Sequence, residues 1–286
     1  MVAGLTRGVT HQGAAYDHQQ QLAALAERPA AHDYREAVTS VDQLFSLRGR
    51  RALVTGGSSG IGRAMAAAMA GAGARVHLVA RDPAALASAA AEMGATWSSV
   101  DLADEGQLAS LAAVEEVTGA DILVTAAGVN LRPPLEGMDD ATYATTMQVN
   151  LRAPYVLGQA AGPRMAGRGY GRIINVGSQQ SWSAFGSSGV YGVSKAAVCG
   201  LTRSQAEAWS PHGVTANTVV PGFVVTPMTL PTIAEPGREE ALAARSMIGR
   251  NGLPDDFAGI AVFLASAASA YVTGQAIAVD GGFSVH

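Results

Sequence analysis

The sequence predicts an α/β fold: a doubly wound parallel sheet of about seven strands with helices on both faces. From Arg51 onward, short β-rich runs alternate with longer alanine-rich helical stretches, which is the pattern that builds a parallel sheet covered by helices. The first strand and helix are joined by a glycine loop, and no internal repeat competes with the reading. At 286 residues the chain can bury a real core, and one large domain with an appendage is expected.

Taken in order, Arg51–Thr55 (RALVT) reads as a strand, residues 56–60 as the glycine loop, and 61–72 as a helix stopped by Gly73. Arg75–Ala80 (RVHLVA) is the second strand. Asp82 then supplies an N-cap, Pro83 a first-turn proline and Gly94 a terminator, so three independent signals mark one helix. Further strands are expected at 95–100, 121–125, 171–178, 213–220 and 275–279. Residues 221–250 are richer in Pro, Thr and Met and are expected to cover a ligand site. Residues 1–46 lack strand patterning and form an N-terminal extension, partly helical at 19–28, ahead of a domain spanning 47–286.

Composition narrows the class of function. Hydrophobic residues make up 48% and charged residues 15%, with 34 glycines, which describes a folded globular protein. Nineteen basic against 23 acidic residues, a net charge of -4 and no basic run argue against a nucleic-acid partner. Cys199 is the only cysteine, so no intrachain disulfide forms and a reduced cytoplasm is the simplest home. No signal peptide and no apolar run long enough to span a membrane are expected. The six histidines (11, 18, 32, 77, 212 and 286) never pair with Cys or acid at ligand spacing, so no metal is expected.

A strand, a turn holding Gly56, Gly57, Gly60 and Gly62, and a helix can bring backbone amides and a helix N-terminus against a pyrophosphate. The spacing departs from GxGxxG and taken alone would also suit an ordinary turn. About 20 residues on, an acid would bond the ribose of NAD, whereas an arginine accommodates the extra phosphate of NADP. Ala80 followed by Arg81 stands there, which predicts a preference for NADP(H), with NAD(H) open if Asp82 turns to the ribose instead of capping.

Tyr191 and Lys195 are four apart and so share one face of a helix. A phenol with a pKa of about 10 needs a nearby cation to exchange protons near neutrality, and Lys195 can supply that field. Such a pair is commonplace on helices. Ser178 changes the odds, because it ends an expected strand, where open α/β sheets place their chemistry, and its hydroxyl could steady charge on a substrate oxygen. It would also serve as an ordinary turn serine.

Together these motifs resemble the short-chain dehydrogenase/reductase family, in its single-domain branch with a Rossmann-like sheet, over residues 48–285. Thr55-Gly56-Gly57-Ser58-Ser59-Gly60-Ile61-Gly62 is similar to that family's TGxxxGxG loop, Tyr191 to Lys195 to its YxxxK, and Ser178 lies at its serine spacing. Asp101, with Leu102 beside it, resembles the adenine-contacting aspartate, and Asn150 the family's helix asparagine. Pro221-Gly222 with Val224 and Thr226 resembles the segment that holds the nicotinamide amide, and Val279-Asp280-Gly281-Gly282 the carboxyl-terminal signature. One departure is Thr125-Ala126-Ala127-Gly128 in place of Asn-Asn-Ala-Gly, which removes two side chains' hydrogen bonds while Ala127 and Gly128 keep the close approach to the cofactor.

The resemblance implies an enzyme that interconverts a ketone and a secondary alcohol by hydride transfer. Tyr191 would be the general acid/base and Ser178 would hold the substrate oxygen. Lys195 would fix the nicotinamide ribose, and Asn150 would hold a water linking Lys195 to solvent. It also implies a homo-oligomer, commonly a tetramer, with a small carbonyl or alcohol substrate. Gln179, Gln180, Trp182, Phe185, Phe223 and Met228 are the expected substrate-pocket residues, a set that suits a polyol or sugar acid through its amides and a bulky ketone through its rings. Trp182 and Phe185 would equally serve as core or subunit contacts, and Cys199 is read as a packed residue. A sugar-nucleotide epimerase of the related extended type fits the glycine spacing poorly. A non-catalytic dinucleotide-binding regulator would not need Ser178, Tyr191, Lys195 and Asn150 together.

Overall fold

A computed structural model describes residues 40–132, 134–186 and 188–286. Most of the expected extension, including the helix at 19–28, lies outside the described residues. Within the body Val41–His286 the chain opens with helix α1 (Val41–Phe45). The Phe45 ring lies 6.4 Å from that of Phe263, and the fully buried Leu47 donates its N–H to the Ala72 carbonyl. This helix lies ahead of the expected boundary at residue 47 and packs with the body.

Seven strands follow: β1 (Arg51–Thr55), β2 (Arg75–Ala80), β3 (Thr96–Ser99), β4 (Ile122–Thr125), β5 (Gly171–Val176), β6 (Val214–Pro221) and β7 (Ala276–Val279). All pair in parallel, in the order β3-β2-β1-β4-β5-β6-β7. The order reverses between β1 and β4, and that switch point opens a crevice at the carboxyl ends of the strands. Each strand ends within two residues of its expected bounds, the ordinary scatter of element ends.

Alternation along the strands builds two cores. Ala52 and Val54 of β1 join Met65, Met69, Leu78, Phe257 and Leu264, whereas Leu53 joins Leu108, Leu157, Met165 and Trp209. The first layer is supplied by α2 (Gly60–Gly71), α3 (Pro83–Met93) and α11 (Ala258–Ala265). The second comes from α4 (Glu105–Ala113), α5 (Glu115–Thr118), α7 (Ala153–Arg168) and α8 (Val190–Trp209). Helix α3 is bounded as expected: the Asp82 carboxylate accepts the Ala84 and Ala85 N–H groups, Pro83 opens the first turn, and Gly94 closes it at φ +66°. Helix α2 starts one residue earlier than expected and is capped at Ala72, with Gly73 just beyond at φ +103°.

Helix α6 (Asp140–Met147) runs into a π-helical turn, Gln148–Arg152, before α7. Pro154 has no N–H to return to the Asn150 carbonyl, which breaks the regular ladder at this point. Residues 221–250, expected as a covering segment, carry two short helices, α9 (Leu230–Ile233) and α10 (Arg238–Ala243).

Candidate active site

The crevice is a cleft of about 560 Å³. Its first wall is the β1–α2 loop. Gly56 turns there at φ +69°, and a Cβ on it would come within 2.8 Å of the Ala127 N–H nitrogen on the β4 loop. A Cβ on Gly62 would strike the Gly56 carbonyl oxygen, so both glycines are required for this packing. Ser59 caps α2 without a side-chain hydrogen bond to its first turn, which leaves those amides directed at a ligand. Ser58, Ser59, Gly60, Ile61 and Gly62 all line the cleft. A loop that a Cβ would fill, ending in uncapped amides, fits a pyrophosphate.

Past β2, Ala80, Arg81 and Asp82 line the same cleft. Asp82 caps α3 through one carboxylate oxygen, and Arg81 is exposed with no ion pair among the described residues. Asp101 and Leu102 follow β3 and line the next stretch, with the Asp101 carboxylate accepting the Ala103 N–H. Across the loop departure, the Thr55 hydroxyl accepts the Ala127 N–H. Thr125 donates to the Asn175 side chain, whose amide continues to Thr202 and Gln205. Ala127 and Gly128 line the cleft as expected.

At the far end Ser178, Tyr191, Lys195, Pro221, Gly222, Val224 and Thr226 come together. Ser178 follows β5 and caps the short turn Gln179–Ser181, whose Ser181 hydroxyl donates to the Lys195 carbonyl. Tyr191 and Lys195 share the first turns of α8, with Nζ 5.8 Å from the phenol ring centre. Asn150 is fully buried in the π-turn. Its Oδ1 accepts the Val129 N–H at 2.8 Å, and its Nδ2 donates to the Val129 carbonyl and the Ser194 hydroxyl, each at 3.0 Å. Both N–H groups of that amide are therefore engaged by protein atoms, and the side chain staples the β4 loop to α8.

The electrostatics differ from the expectation that Lys195 makes the phenol acidic. Burial pushes the Tyr191 pKa above the ordinary tyrosine value, opposed by a hydrogen bond with the Ser178 side chain and by the charge of Arg132. Burial likewise brings Lys195 down from 10.5 to about 8, and its Nζ donates to the Val176 carbonyl at 2.8 Å. The charge that acts on the phenol is that of Arg132, while the Lys195 amine is directed at a carbonyl. Arg132 was not anticipated. It holds φ +51°, the only non-glycine in that region among the described residues, at a typical cost of about 1–3 kcal/mol, and its guanidinium donates to the Thr232 hydroxyl of α9.

The expected substrate residues separate. Met228 lines the cleft. Gln180 accepts the Ser188 hydroxyl, Trp182 is about half exposed, and the Phe185 ring lies 5.9 Å from the Arg238 guanidinium. None of these three lines the cleft, and Gln179 is buried within the turn. Phe223 is buried and borders a second cavity of about 230 Å³ beside Phe257 and the Arg250–Asp256 ion pair. Val129, Thr145 and Val149 line the main cleft instead. No group of His, Cys, Asp and Glu that could hold a metal occurs among the described residues.

Residues 56–284 match the profile of a family described as enoyl-(acyl carrier protein) reductase. The chain is 41% identical over 251 residues to a galactitol 2-dehydrogenase (L-tagatose-forming) of Cereibacter sphaeroides, covering 85% of this chain and 98% of the relative. It is 39% identical over 249 residues to a gluconate 5-dehydrogenase of Gluconobacter oxydans, covering 85% and 97%. A crystal structure of a gluconate 5-dehydrogenase from Burkholderia cenocepacia, in complex with NADP and tartrate, superposes with a TM-score of 0.81 at 34% identity, over 86% of this chain and all of that one.

Proposed function

This chain belongs to the short-chain dehydrogenase/reductase family, and on that premise we propose that it transfers a hydride between NADP(H) and a ketone/secondary-alcohol pair on a polyhydroxylated small molecule, with Tyr191 as general acid/base. The observation that carries the reading is the convergence of Ser178, Tyr191 and Lys195 at one end of a cleft whose other end is a pyrophosphate cradle. NADP(H), when bound, supplies or accepts the hydride. The first-turn amides of α2 with Ser58 and Ser59 would hold its pyrophosphate, Arg81 its additional phosphate, Asp101 its adenine end, and Pro221, Gly222, Val224 and Thr226 its amide.

The chain's own work is orientation and proton movement. Ser178 meets the substrate oxygen, and Tyr191 delivers its hydroxyl proton to that oxygen on reduction and takes it back on oxidation. With its pKa raised, the phenol holds its proton at neutral pH, the state required of an acid. Lys195, at about 8, stays largely protonated there and can exchange a proton with little driving force in either direction. Asn150 acts by fixing the Val129 wall against Ser194. Replacing Tyr191 with Phe removes only the hydroxyl. The expected outcome is unchanged NADPH affinity by fluorescence titration and a loss of about 10²- to 10⁴-fold in turnover followed by nicotinamide absorbance. Retention of most of the rate would refute the assignment.

Assembly as a homo-oligomer, a tetramer by kinship, is part of the same proposal. It is supported by the half-exposed Tyr155 on α7 and Val193 on α8, and sedimentation would test it. A cytoplasmic location is supported by the lone cysteine; no helix among the described residues is long and apolar enough to cross a membrane.

A further inference from the structure

We propose that Asn175 is a positioning residue: by bonding Thr202 and Gln205 it fixes the register of α8 on β5, and with it the placement of Tyr191 and Lys195 against Ser178. The proposal rests on the hydride-transfer reading of this cleft and adds the device that aligns its reacting groups.

Asn175 stands in the middle of a polar row that crosses three central strands. Thr125 of β4 and Thr218 of β6 are its direct partners in register, and all three side chains are buried. Thr202 and Gln205 of α8 reach the row and are buried as well. The Asn175 amide commits its oxygen and both N–H groups: Oδ1 accepts the Thr125 hydroxyl at 2.6 Å, and Nδ2 donates to the Thr202 hydroxyl at 2.8 Å and to Gln205 Oε1 at 2.9 Å. The Thr202 hydroxyl in turn lies 2.6 Å from that of Thr218. Leu53, Leu157, Ile173 and Trp209 make the same layer apolar, and there each of these polar groups would be costly without its partner.

The row joins the two elements that carry the reacting groups. Asn175 lies near the end of β5, three residues before Ser178, and Thr202 lies two turns beyond Lys195 on the same face of α8. Burial of apolar surface is non-directional and rewards any register of helix on sheet that hides a similar area. Directed hydrogen bonds weaken steeply with misalignment and reward one register. Lys195 is itself among the groups to be placed, and the 2.8 Å bond from its Nζ to the carbonyl of Val176, next to Asn175, reports that register. Helix α7 makes room for the arrangement, since a Cβ on Gly158 would strike the Gln205 amide. Gln205 Nε2 has no hydrogen-bond partner among the described residues. A buried donor left unpaired destabilises a fold, so Gln205 costs stability while its Oε1 receives Asn175, the balance expected of a side chain that serves placement and not packing.

The test uses the full chain saturated with NADP+, with D-gluconate and galactitol as probes, at a temperature where every variant is folded. Thr202→Val keeps the shape of the side chain and removes the hydroxyl that Asn175 bonds. It is expected to lower kcat about 10-fold while the KM for NADP+ stays at its wild-type value, and Thr202→Ser, which returns the hydroxyl, should recover most of that loss. Gln205→Met removes the acceptor and the unpaired donor together, and should lower kcat while Tm stays within about 3 °C of wild type, which keeps the test open if Thr202→Val does not fold. Leu264→Ala, in α11 on the opposite layer, is the control: it should lower Tm and leave kcat unchanged. A crystal structure of Thr202→Val or Gln205→Met should show Lys195 Nζ beyond hydrogen-bonding reach of the Val176 carbonyl. Wild-type kcat in both variants, a loss that Thr202→Ser does not recover, an equal loss in Leu264→Ala, or an unmoved Lys195 would overturn the proposal. Should wild type turn over neither probe while Lys195 is displaced in the variants, the register role of Asn175 stands and the hydride-transfer reading fails on these substrates.

Discussion

Replacing Asn150 with Ala probes how the active-site wall is held. The side chain is fully buried and makes three hydrogen bonds, two to the backbone of Val129 and one to the Ser194 hydroxyl. Each such bond contributes about 1 kcal/mol net, so their loss amounts to about 3 kcal/mol, before any cavity left by the missing amide. For a body of this size 1 kcal/mol lowers Tm by about 2–4 °C, and the expected drop is about 6–12 °C by differential scanning calorimetry. Activity should fall with it. Gly128, next to Val129, approaches both Asn150 and Lys195: a Cβ there would lie 3.3 Å from Asn150 Oδ1 and 3.5 Å from Lys195 Nζ. Releasing the loop therefore loosens the wall beside the reacting groups, and a displacement of about 1 Å is enough for a loss of about 10²-fold in kcat/KM. A variant that melts within about 3 °C of wild type would show that the staple is dispensable and refute the reasoning.

Three further outcomes are expected. Arg81→Ala should lower the NADPH-to-NADH ratio of kcat/KM by about 10-fold or more, since a guanidinium–phosphate contact is lost and Asp82 remains tied to its cap; an unchanged ratio would place the phosphate elsewhere. Gly62→Ala puts a Cβ onto the Gly56 carbonyl, and NADPH affinity should weaken by about 10-fold or more in fluorescence titration, with wild-type affinity refuting the cradle. Lys195, at about 8 when folded and near 10.5 when unfolded, gives a stability signature in pH. Between those values the unfolded chain holds the proton and the folded chain does not, so stability rises with pH. Relative to Lys195→Met, denaturant unfolding should gain about 2 kcal/mol from pH 8 to 10, and a flat difference would contradict the burial of this amine. The raised Tyr191 pKa acts oppositely, but only above the ordinary tyrosine value, outside that window.

The fold was legible wherever several local signals coincided. Asp82, Pro83 and Gly94 each act within one turn of the residue they cap or terminate, so α3 could be read without knowing what it packs against. The β1–α2 loop was legible for the same reason. The π-turn at Gln148–Arg152 was missed although Pro154 carried its signal, because a proline near the start of a helix also reads as an ordinary first turn. The substrate wall was misread by neighbourhood: Phe223 was grouped with the segment after Pro221-Gly222 by proximity in sequence. The chain bends at Phe223 after leaving β6, so Gly222 and Val224 line both cavities while Phe223 is buried against the second one alone.

The charge state of the site was the least legible part, and the reason is physical. Spacing of four residues places Tyr191 and Lys195 on one helix face, which the structure bears out in geometry. Spacing carries no information about desolvation, and desolvation is the largest influence on both groups: it raises the phenol and lowers the amine, each toward its neutral form. The cation that does pull on the phenol comes from Arg132 in the loop after β4, brought there by the parallel order of the sheet and by no local pattern. A charge that arrives through topology is invisible to any window along the chain.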